Sequence, residues 1–340
     1  MNDYFSLAFN NLKRRKVRSW LTMIGIFIGI AAVVGLISLG QGLQGAITEQ
    51  FAQLGSDKII IMPSVFAPPG SITTESLLLT NKDLEFIKSI RGVKDAAGFI
   101  MKYGQVEYKD GMKITSIIGL APEDEKFWND LNLLKMEDGR AYKTGEKYKV
   151  VVGYNHAYKE VWDKPLKIGG TIKIEGQEFK VVGIMEKTGD PGNDKGLYIP
   201  KDTLREIFNA LKEESMIYVI TASGFSPEDV ANDIERKLRK FRGEKEGEET
   251  FSVQTSDQLL ESFSSIFNIV QAVLIGIAAI SLIVGGIGIM NTMYTAVIER
   301  TKEIGTMKAV GAKNSDILLI FLFEAGLLGL VGGAIGIGYG

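Results

Sequence analysis

The sequence has 340 residues, of which 45% are hydrophobic and 24% are charged, and its formal net charge is −2. This balance excludes a strongly basic chain that binds nucleic acid through charge, and we expect no nucleic-acid partner. The absence of cysteine and the single histidine, His156, exclude most metal chemistry, so we expect neither a metal nor a cofactor in this chain.

Charge is unevenly distributed along the chain. Residues 19–48 and 262–298 contain no charged side chain, and residues 317–340 contain one, Glu324. A helix of about 20 mainly apolar residues is long enough to cross the hydrocarbon of a bilayer. The sequence therefore predicts three membrane spans.

The segments beside the spans indicate the orientation. Residues 1–18 carry a net charge of +4 and residues 299–316 a net charge of +1, whereas residues 42–261 carry −6. Lysine and arginine next to a span are retained on the cytoplasmic side. We therefore expect a multi-pass protein of the cell membrane, with a cytoplasmic N-terminus and the large acidic region outside the cytoplasm.

Residues 1–18 also predict a cytoplasmic amphipathic helix in the membrane interface. Their apolar residues fall on one helical face, ahead of a run of basic residues at 13–18. The first span, residues 19–41, follows directly. Its helical pattern continues outward to about residue 54.

Glycine spacing predicts helix packing within the spans. Gly25 and Gly29 lie four residues apart in the first span, and Gly329 and Gly333 lie four residues apart in the third. Small residues at this interval let two helix backbones approach closely. The same spacing is also frequent in spans that make no such contact, so both interpretations are kept.

Residues 55–261 predict an α+β extracytoplasmic domain between the first two spans. Short apolar strands alternate with helices, and residues 109–112 predict a hairpin turn. We expect one subdomain built from residues 55–120 and 201–255, with a β-rich subdomain, residues 121–200, inserted in it.

The second span, residues 262–292, leads into a charged link, residues 293–316, which is followed by the third span, residues 317–340. On a helix, Ile304 and Met307 share one face with Gly311, and this apolar stripe favours docking on a partner. An ordinary basic connector accounts for the same charges.

Glu324 is an acid inside an apolar span. Such a group normally faces protein, water or the membrane interface, because an isolated charge in hydrocarbon is costly. The position is consistent with a structural role and also with an ion pathway.

The sequence contains no motif for catalysis. It has no Gly-x-x-x-x-Gly-Lys-Ser/Thr phosphate loop, no GxSxG elbow and no HExxH zinc motif. We therefore expect no enzyme activity in this chain.

The link carries a family resemblance. Residues 297–312, VIERTKEIGTMKAVGA, closely resemble the ERT(R/K)EIG…AxGA signature of MacB/FtsX-type ABC transporter permeases, a family that includes macrolide exporters and lipoprotein-releasing permeases. Residues 12–34 resemble the basic start and first span of that family. Residues 169–184 and 197–200 look like its inserted β subdomain, so the resemblance covers essentially the whole chain.

The resemblance implies a membrane α-helical fold with a two-subdomain α+β extracytoplasmic domain between spans one and two. It also implies four spans per subunit and a dimer, with a second copy or a related subunit, on two cytoplasmic ATPase subunits that bind ATP and Mg²⁺. In that family the link between spans two and three is a coupling helix that contacts the ATPase. The resemblance implies that the ATPase-contacting residues in this sequence are Glu299, Arg300, Thr301, Lys302, Glu303, Ile304, Gly305 and Met307.

The sequence departs from the family pattern in two ways. The fourth span is missing, so we expect the sequence to stop about one span short of a family permease. No ATPase domain is fused, so the ATPase is expected to be a separate subunit.

These expectations describe the permease subunit of an ABC-type exporter or mechanotransmission complex. It would couple ATP hydrolysis on the separate ATPase to movement of the extracytoplasmic domains and to extrusion of a substrate. The alternative is an FtsX-like signalling permease that transports nothing and regulates an extracellular partner.

Overall fold

The computed structural model of the chain describes residues 16–64, 78–131, 133–158 and 161–339. The described residues fall into two compact units, and the chain passes from one unit to the other at Thr48/Glu49 and at Leu260/Glu261. The predicted amphipathic helix at the N-terminus lies almost entirely outside the described residues.

Helices and strands alternate through the middle of the chain and long helices lie at its ends. The helices are α1 (Lys16–Leu54), α2 (Asn81–Lys88), α3 (Glu125–Asp130), α4 (Tyr154–Ala157), α5 (Pro191–Asp194), α6 (Lys201–Phe208), α7 (Pro227–Arg242), α8 (Ser256–Glu299), α9 (Thr301–Ala309) and α10 (Asn314–Tyr339). The strands are β1 (Lys58–Pro63), β2 (Leu79–Thr80), β3 (Val93–Tyr108), β4 (Gly111–Leu120), β5 (Met136–Gly139), β6 (Lys149–Val152), β7 (Thr171–Ile174), β8 (Gln177–Met185), β9 (Leu197–Pro200), β10 (Glu213–Glu214), β11 (Met216–Thr221) and β12 (Phe251–Thr255).

Three helices, α1, α8 and α10, are long and apolar enough to cross a membrane. They contain 39, 44 and 26 residues. At about 1.5 Å per residue their lengths are about 58, 66 and 39 Å, against a hydrocarbon thickness of about 30 Å. Helix α1 continues to Leu54 without a break at the predicted end of the first span, residue 41.

The second unit contains an open antiparallel sheet in the order β12-β1-β11-β3. Helices α2 and α7 cover it, and their apolar faces share one core cluster with the strands, including Ile59, Ile61, Ile87, Ile217 and Ile234. Thr80 is the N-cap of α2. The Asp83 carboxylate accepts a hydrogen bond from the Thr80 N–H at 2.8 Å, and Thr80 Oγ1 accepts one from the Asp83 N–H.

The rest of the sheet closes on itself. Strand pairings run β3-β4-β9-β6-β8-β7 and return from β7 to β3, which makes a ring of six strands. Its core cluster includes Ile117, Val150, Ile172, Phe179 and Leu197. Because every strand of the ring has two neighbours, the ring leaves no unpaired edge of its own.

The two-subdomain arrangement expected from the sequence differs from this structure at two boundaries. Helix α6, predicted to belong with residues 55–120, packs in the core of the ring through Leu204, Ile207 and Phe208. Residues 100–108 of β3 pair with β4 and β7, and β4 pairs with β9, so residues 100–120 belong to the ring rather than to the open sheet. Residues 93–99 of the same strand pair with β11. Strand β3 is therefore shared, and the described part of Glu49–Leu260 is one compact unit.

A buried ion pair joins three elements of this unit. The ammonium group of Lys201, at the start of α6, lies 2.7 Å from Oε1 of Glu214 in β10 and donates to the carbonyl of Gly98 in β3 at 2.6 Å. Arg205 Nη2 lies 2.8 Å from the same carboxylate oxygen. Both ends of the Lys201–Glu214 pair are nearly inaccessible to water, so each charge depends on the other.

The single histidine is a core residue. His156 is fully buried, its Nε2 lies 2.8 Å from the carbonyl oxygen of Lys195, and its Nδ1 accepts from Trp162 Nε1–H at 2.8 Å. The carbonyl can only accept, so the proton of the neutral ring is on Nε2. Burial lowers the pKa of His156 to about 4.

This pKa predicts a pH dependence of stability. The unfolded chain takes up the proton on His156 near pH 6.5, and the folded chain takes it up only near pH 4. The contribution of His156 to the free energy of unfolding therefore falls as the pH is lowered from about 6.5 to about 4, and it stays constant below pH 4. The loss is on the order of 3 kcal/mol. Denaturant unfolding of the detergent-solubilised chain at several pH values, followed by tryptophan fluorescence, measures it.

The control variant is His156→Gln, whose amide can accept from Trp162 and donate to Lys195 but does not titrate. We expect its unfolding curve to lack this part of the pH dependence. Parallel pH profiles for the parent chain and the variant would contradict the assignment of His156 as a buried neutral group.

Candidate functional site: the link between the second and third apolar helices

The link begins where the helix is interrupted at Arg300. Helix α8 ends one residue before it and α9 begins one residue after it, while Arg300 itself has φ −103° and ψ 15°. The Arg300 N–H donates to the carbonyl of Ala296 at 3.2 Å, and the Ile304 N–H donates to the carbonyl of Arg300 at 2.9 Å. Hydrogen bonding continues across the interruption, so the start of α9 is held to the end of α8.

The other end of the link helix is fixed by a glycine. Gly311 has φ +101°, a left-handed conformation that favours a residue without Cβ. The Ala312 N–H donates to the carbonyl of Met307 at 3.0 Å. The Asp316 carboxylate then accepts from the Lys313 N–H at 3.1 Å at the start of α10. Both ends of α9 are therefore defined by specific contacts.

The side chains of α9 divide by exposure. Ile304 and Met307 are half-buried, so the predicted apolar stripe is partly covered by the chain itself. Val310, which follows the helix, is 85% exposed. Within residues 299–310, the exposed residues are Glu299, Thr301, Lys302, Glu303, Gly305, Thr306, Lys308, Ala309 and Val310.

Arg300 joins the link to the third apolar helix. Its Nη1 lies 3.4 Å from Oε2 of Glu324 in α10, and its Nε lies 2.9 Å from Oε2 of Glu303 in α9. The side chains of Glu324, Arg300 and Glu303 are 5%, 18% and 64% exposed. The acid inside the apolar helix therefore has a cationic partner, and the second carboxylate lies at the surface.

Two of the predicted packing glycines lie against another helix. A Cβ added at Gly29 would lie 3.4 Å from Cβ of Ser281 in α8. A Cβ added at Gly333 would lie 3.4 Å from Cδ1 of Ile30 in α1. These contacts are close van der Waals distances between neighbouring apolar helices.

Among the described residues, Gly25 and Gly329 do not lie against another helix. A Cβ added at Gly25 or Gly329 would meet no atom within 4 Å, whereas one added at Gly336 would lie 2.8 Å from Cβ of Ile30 and 3.1 Å from the carbonyl oxygen of Phe27. A four-residue spacing identifies a helix face but not the point at which two helices cross. The crossing of α1 and α10 is at Gly336.

Gly332 and Gly336 share the four-residue spacing of the predicted glycine pairs, so the sequence pattern includes the glycine that lies against Ile30. Sequence reasoning missed two features of this site. The exposed Val310 follows α9 and does not belong to the predicted apolar stripe. The partner of Glu324 is 24 residues away in sequence, and helical periodicity does not identify such a pair.

The described part of the link presents charged and apolar side chains at its surface. Across residues 16–64, 78–131, 133–158 and 161–339, no group of three or more His, Asp or Glu side chains is placed to hold a metal ion. Within residues 299–310, the exposed side chains include charges of both signs and two apolar residues, Ala309 and Val310. Such a surface suits a protein partner.

Two family models match this chain. One describes a MacB-like periplasmic core domain and matches residues 19–237. The other describes the C-terminal part of FtsX-like permeases and matches residues 275–340, which include the link.

Individual relatives match nearly the whole chain. An uncharacterised ABC transporter permease of Methanocaldococcus jannaschii is 36% identical over 99% of this chain and 82% of its own length. The macrolide export ATP-binding/permease protein MacB of Bdellovibrio bacteriovorus is 32% identical over 100% of this chain and 53% of its own length. The chain therefore spans most of the archaeal relative but only about half of the MacB protein.

One solved structure supports the fold of the second unit. The periplasmic region of MacB from Actinobacillus actinomycetemcomitans aligns with a TM-score of 0.51 and 16% identity, over 64% of this chain and 97% of that one. At this level of identity the likeness concerns the fold alone.

The glycine contacts give a stability prediction. Replacing Gly336 with alanine is expected to lower the free energy of unfolding by about 1 to 3 kcal/mol, because the new Cβ overlaps Ile30 and the carbonyl oxygen of Phe27. Unfolding of the purified chain in detergent micelles, followed by circular dichroism, measures the difference.

Gly329→Ala is the matched control in the same helix. Its Cβ meets no atom within 4 Å, and we expect a change within about 0.5 kcal/mol. Equal effects of the two substitutions would contradict the packing of α1 against α10 at Gly336.

Proposed function

The chain belongs to the MacB/FtsX-type family of ABC transporter permeases, and from this premise we propose that it is the membrane subunit of an ABC-type export or mechanotransmission complex. In this complex a separate cytoplasmic ATPase subunit binds ATP with Mg²⁺ and hydrolyses it, and a second permease subunit completes a dimer. The observation that carries the proposal is the exposed, charged helix α9, which is held between two apolar helices.

Charge distribution supports the proposed topology. The link and the N-terminal segment are basic, and residues 42–261 have an excess of acidic residues. Basic residues beside spans are retained in the cytoplasm. In the proposal, the N-terminus and α9 are cytoplasmic and the described unit between Glu49 and Leu260 is extracytoplasmic.

The ATPase contacts the exposed side of α9 in this proposal, so the predicted contact residues take two roles. Glu299, Thr301, Lys302, Glu303 and Gly305 are exposed and contact the partner directly, together with Val310. Arg300, Ile304 and Met307 are half-buried and hold the helix in place.

Movement of α9 reaches the extracytoplasmic unit through continuous helices. Helix α8 is unbroken from Ser256 to Glu299, and it contains the unit boundary at Leu260/Glu261. Helix α1 contains the other boundary, at Thr48/Glu49. The ATPase shifts the conformation of the permease only to the extent that its contacts with α9 differ between the two states.

Changing the exposed side of α9 tests this function. The double variant Glu303→Lys with Val310→Asp reverses one charge and places an acid at the most exposed apolar position of the link. We expect the permease concentration for half-maximal stimulation of the cognate ATPase to rise about tenfold, which corresponds to about 1.4 kcal/mol of contact free energy. ATPase assays with the permease in lipid nanodiscs measure this value.

Glu228→Lys provides the control, because it reverses an exposed acid of α7 in the second unit. It is expected to leave the stimulation curve unchanged. An unchanged curve for the α9 double variant would refute the assignment of α9 as the ATPase contact.

A further inference from the structure

We propose that Glu324 is a positioning residue that fixes the orientation of α9 by acting through Arg300. This proposal rests on the coupling function proposed above, because the orientation of α9 matters only if a partner binds there. It goes further by assigning a role to a charge inside the third apolar helix and by making that helix part of the coupling element.

The buried face of α10 contains the acid. The residues of α10 that are buried within the chain are Ile317, Glu324, Leu328, Gly332 and Gly336. These positions recur at helical spacing, so Glu324 occupies a place that an apolar residue would otherwise fill. Removing a carboxylate from water costs free energy that an apolar side chain does not require. The guanidinium group of Arg300 offsets that cost.

The location of Arg300 gives the pair its effect. Arg300 is the single residue between α8 and α9, and its backbone N–H and carbonyl are hydrogen-bonded to α8 and α9. Its side chain reaches the third helix at Glu324. The point at which the link helix departs from α8 is therefore tied to α10. A charged hydrogen bond is directional, so it restricts the angle of α9 more than an apolar contact of the same size would.

The pair explains Glu324 better than an ion pathway does. A relay built from ionisable side chains needs several of them across the apolar layer. Residues 19–48 and 262–298 contain no charged side chain, and Glu324 is the single charge in residues 317–340. The acid instead lies within hydrogen-bonding reach of a cation at the end of the neighbouring helix.

The absence of cysteine makes a direct measurement possible. Thr306 in α9 and Ile337 near the far end of α10 are both exposed, and cysteines introduced at these two positions accept spin labels. Pulsed electron paramagnetic resonance on the whole chain in nanodiscs then reports the distribution of the α9–α10 distance. We expect one narrow distribution in the otherwise unchanged chain.

Glu324→Gln removes the charge and keeps the size of the side chain. It is expected to replace the narrow distribution with a broad one, because α9 loses its tie to α10. Glu303→Gln is the matched control, since it removes the exposed carboxylate on the other side of the same arginine, and it is expected to keep the distribution narrow.

A charge reversal separates positioning from a general loss of packing. The reversed pair, Arg300→Glu with Glu324→Arg, is made in the Glu303→Gln background, which removes the exposed carboxylate that pairs with residue 300 in the parent chain. We expect it to restore a narrow distribution. A distribution that stays narrow in Glu324→Gln, or stays broad in the reversed pair, would overturn the proposal.

ATPase stimulation gives a second readout. If Glu324→Gln lowers the fraction of permease with α9 in the binding-competent orientation to about one tenth, the half-saturating permease concentration rises about tenfold while stimulation at saturation is retained. A loss of stimulation at saturation with an unchanged half-saturating concentration would overturn the positioning role.

The two proposals fail in different ways. A broad distance distribution in Glu324→Gln, together with normal ATPase stimulation by the Glu303→Lys/Val310→Asp variant, would support positioning and refute the ATPase contact. The distance measurement involves no ATPase, so a narrow distribution in Glu324→Gln refutes positioning whatever the ATPase assay shows.

Discussion

A carboxylate inside an apolar helix needs a partner for its charge, and this constraint organises the helices of the first unit. Glu324 is 4% exposed, and the guanidinium group of Arg300 lies 3.4 Å from it. Arg300 is also the residue between α8 and α9. The Arg300–Glu324 pair therefore connects the end of α8 and the start of α9 to the buried face of α10. The close approach of Gly336 to Ile30 holds α1 against the opposite end of α10. The link is thus tied to α10 at Arg300 rather than a free loop.

In the second unit, one strand joins an open sheet to a closed ring of strands. Strand β3 contributes one half to the open sheet and the other half to the closed ring, so the two parts share a continuous backbone. The buried Lys201–Glu214 pair and the His156–Trp162 hydrogen bond add specific polar contacts to apolar cores. In the proposed mechanism, α1 and α8 carry movement to this unit. Neither helix is interrupted where the chain passes between the units.

Local patterns in the sequence predicted local features well. Runs with few or no charges identified the three long apolar helices, and residues 109–112 marked the turn between β3 and β4. The family resemblance carried by the link is confirmed by the two family models.

Pairings between residues distant in sequence could not be predicted from local patterns. The contact of Val106 with Ile174, which closes the ring, and the contact of Arg300 with Glu324 join positions whose separation follows no helical or strand period. Helix α10 meets α1 at Gly336 rather than at Gly329. This contact point depends on the path of α1, which the sequence of α10 does not determine.

The contact of α9 with an ATPase is the central claim, and site-specific crosslinking tests it most directly. In the cysteine-free chain, Val310→Cys places one thiol at a position that is 85% exposed, and Glu228→Cys places one on the exposed surface of α7. A thiol-to-amine crosslinker is applied to native membranes after both sides have been made accessible, and the products are identified by mass spectrometry. The account predicts an ABC ATPase subunit crosslinked through Val310→Cys and none through Glu228→Cys. An ATPase captured through Glu228→Cys, or Val310→Cys products that contain no ATPase, would contradict it.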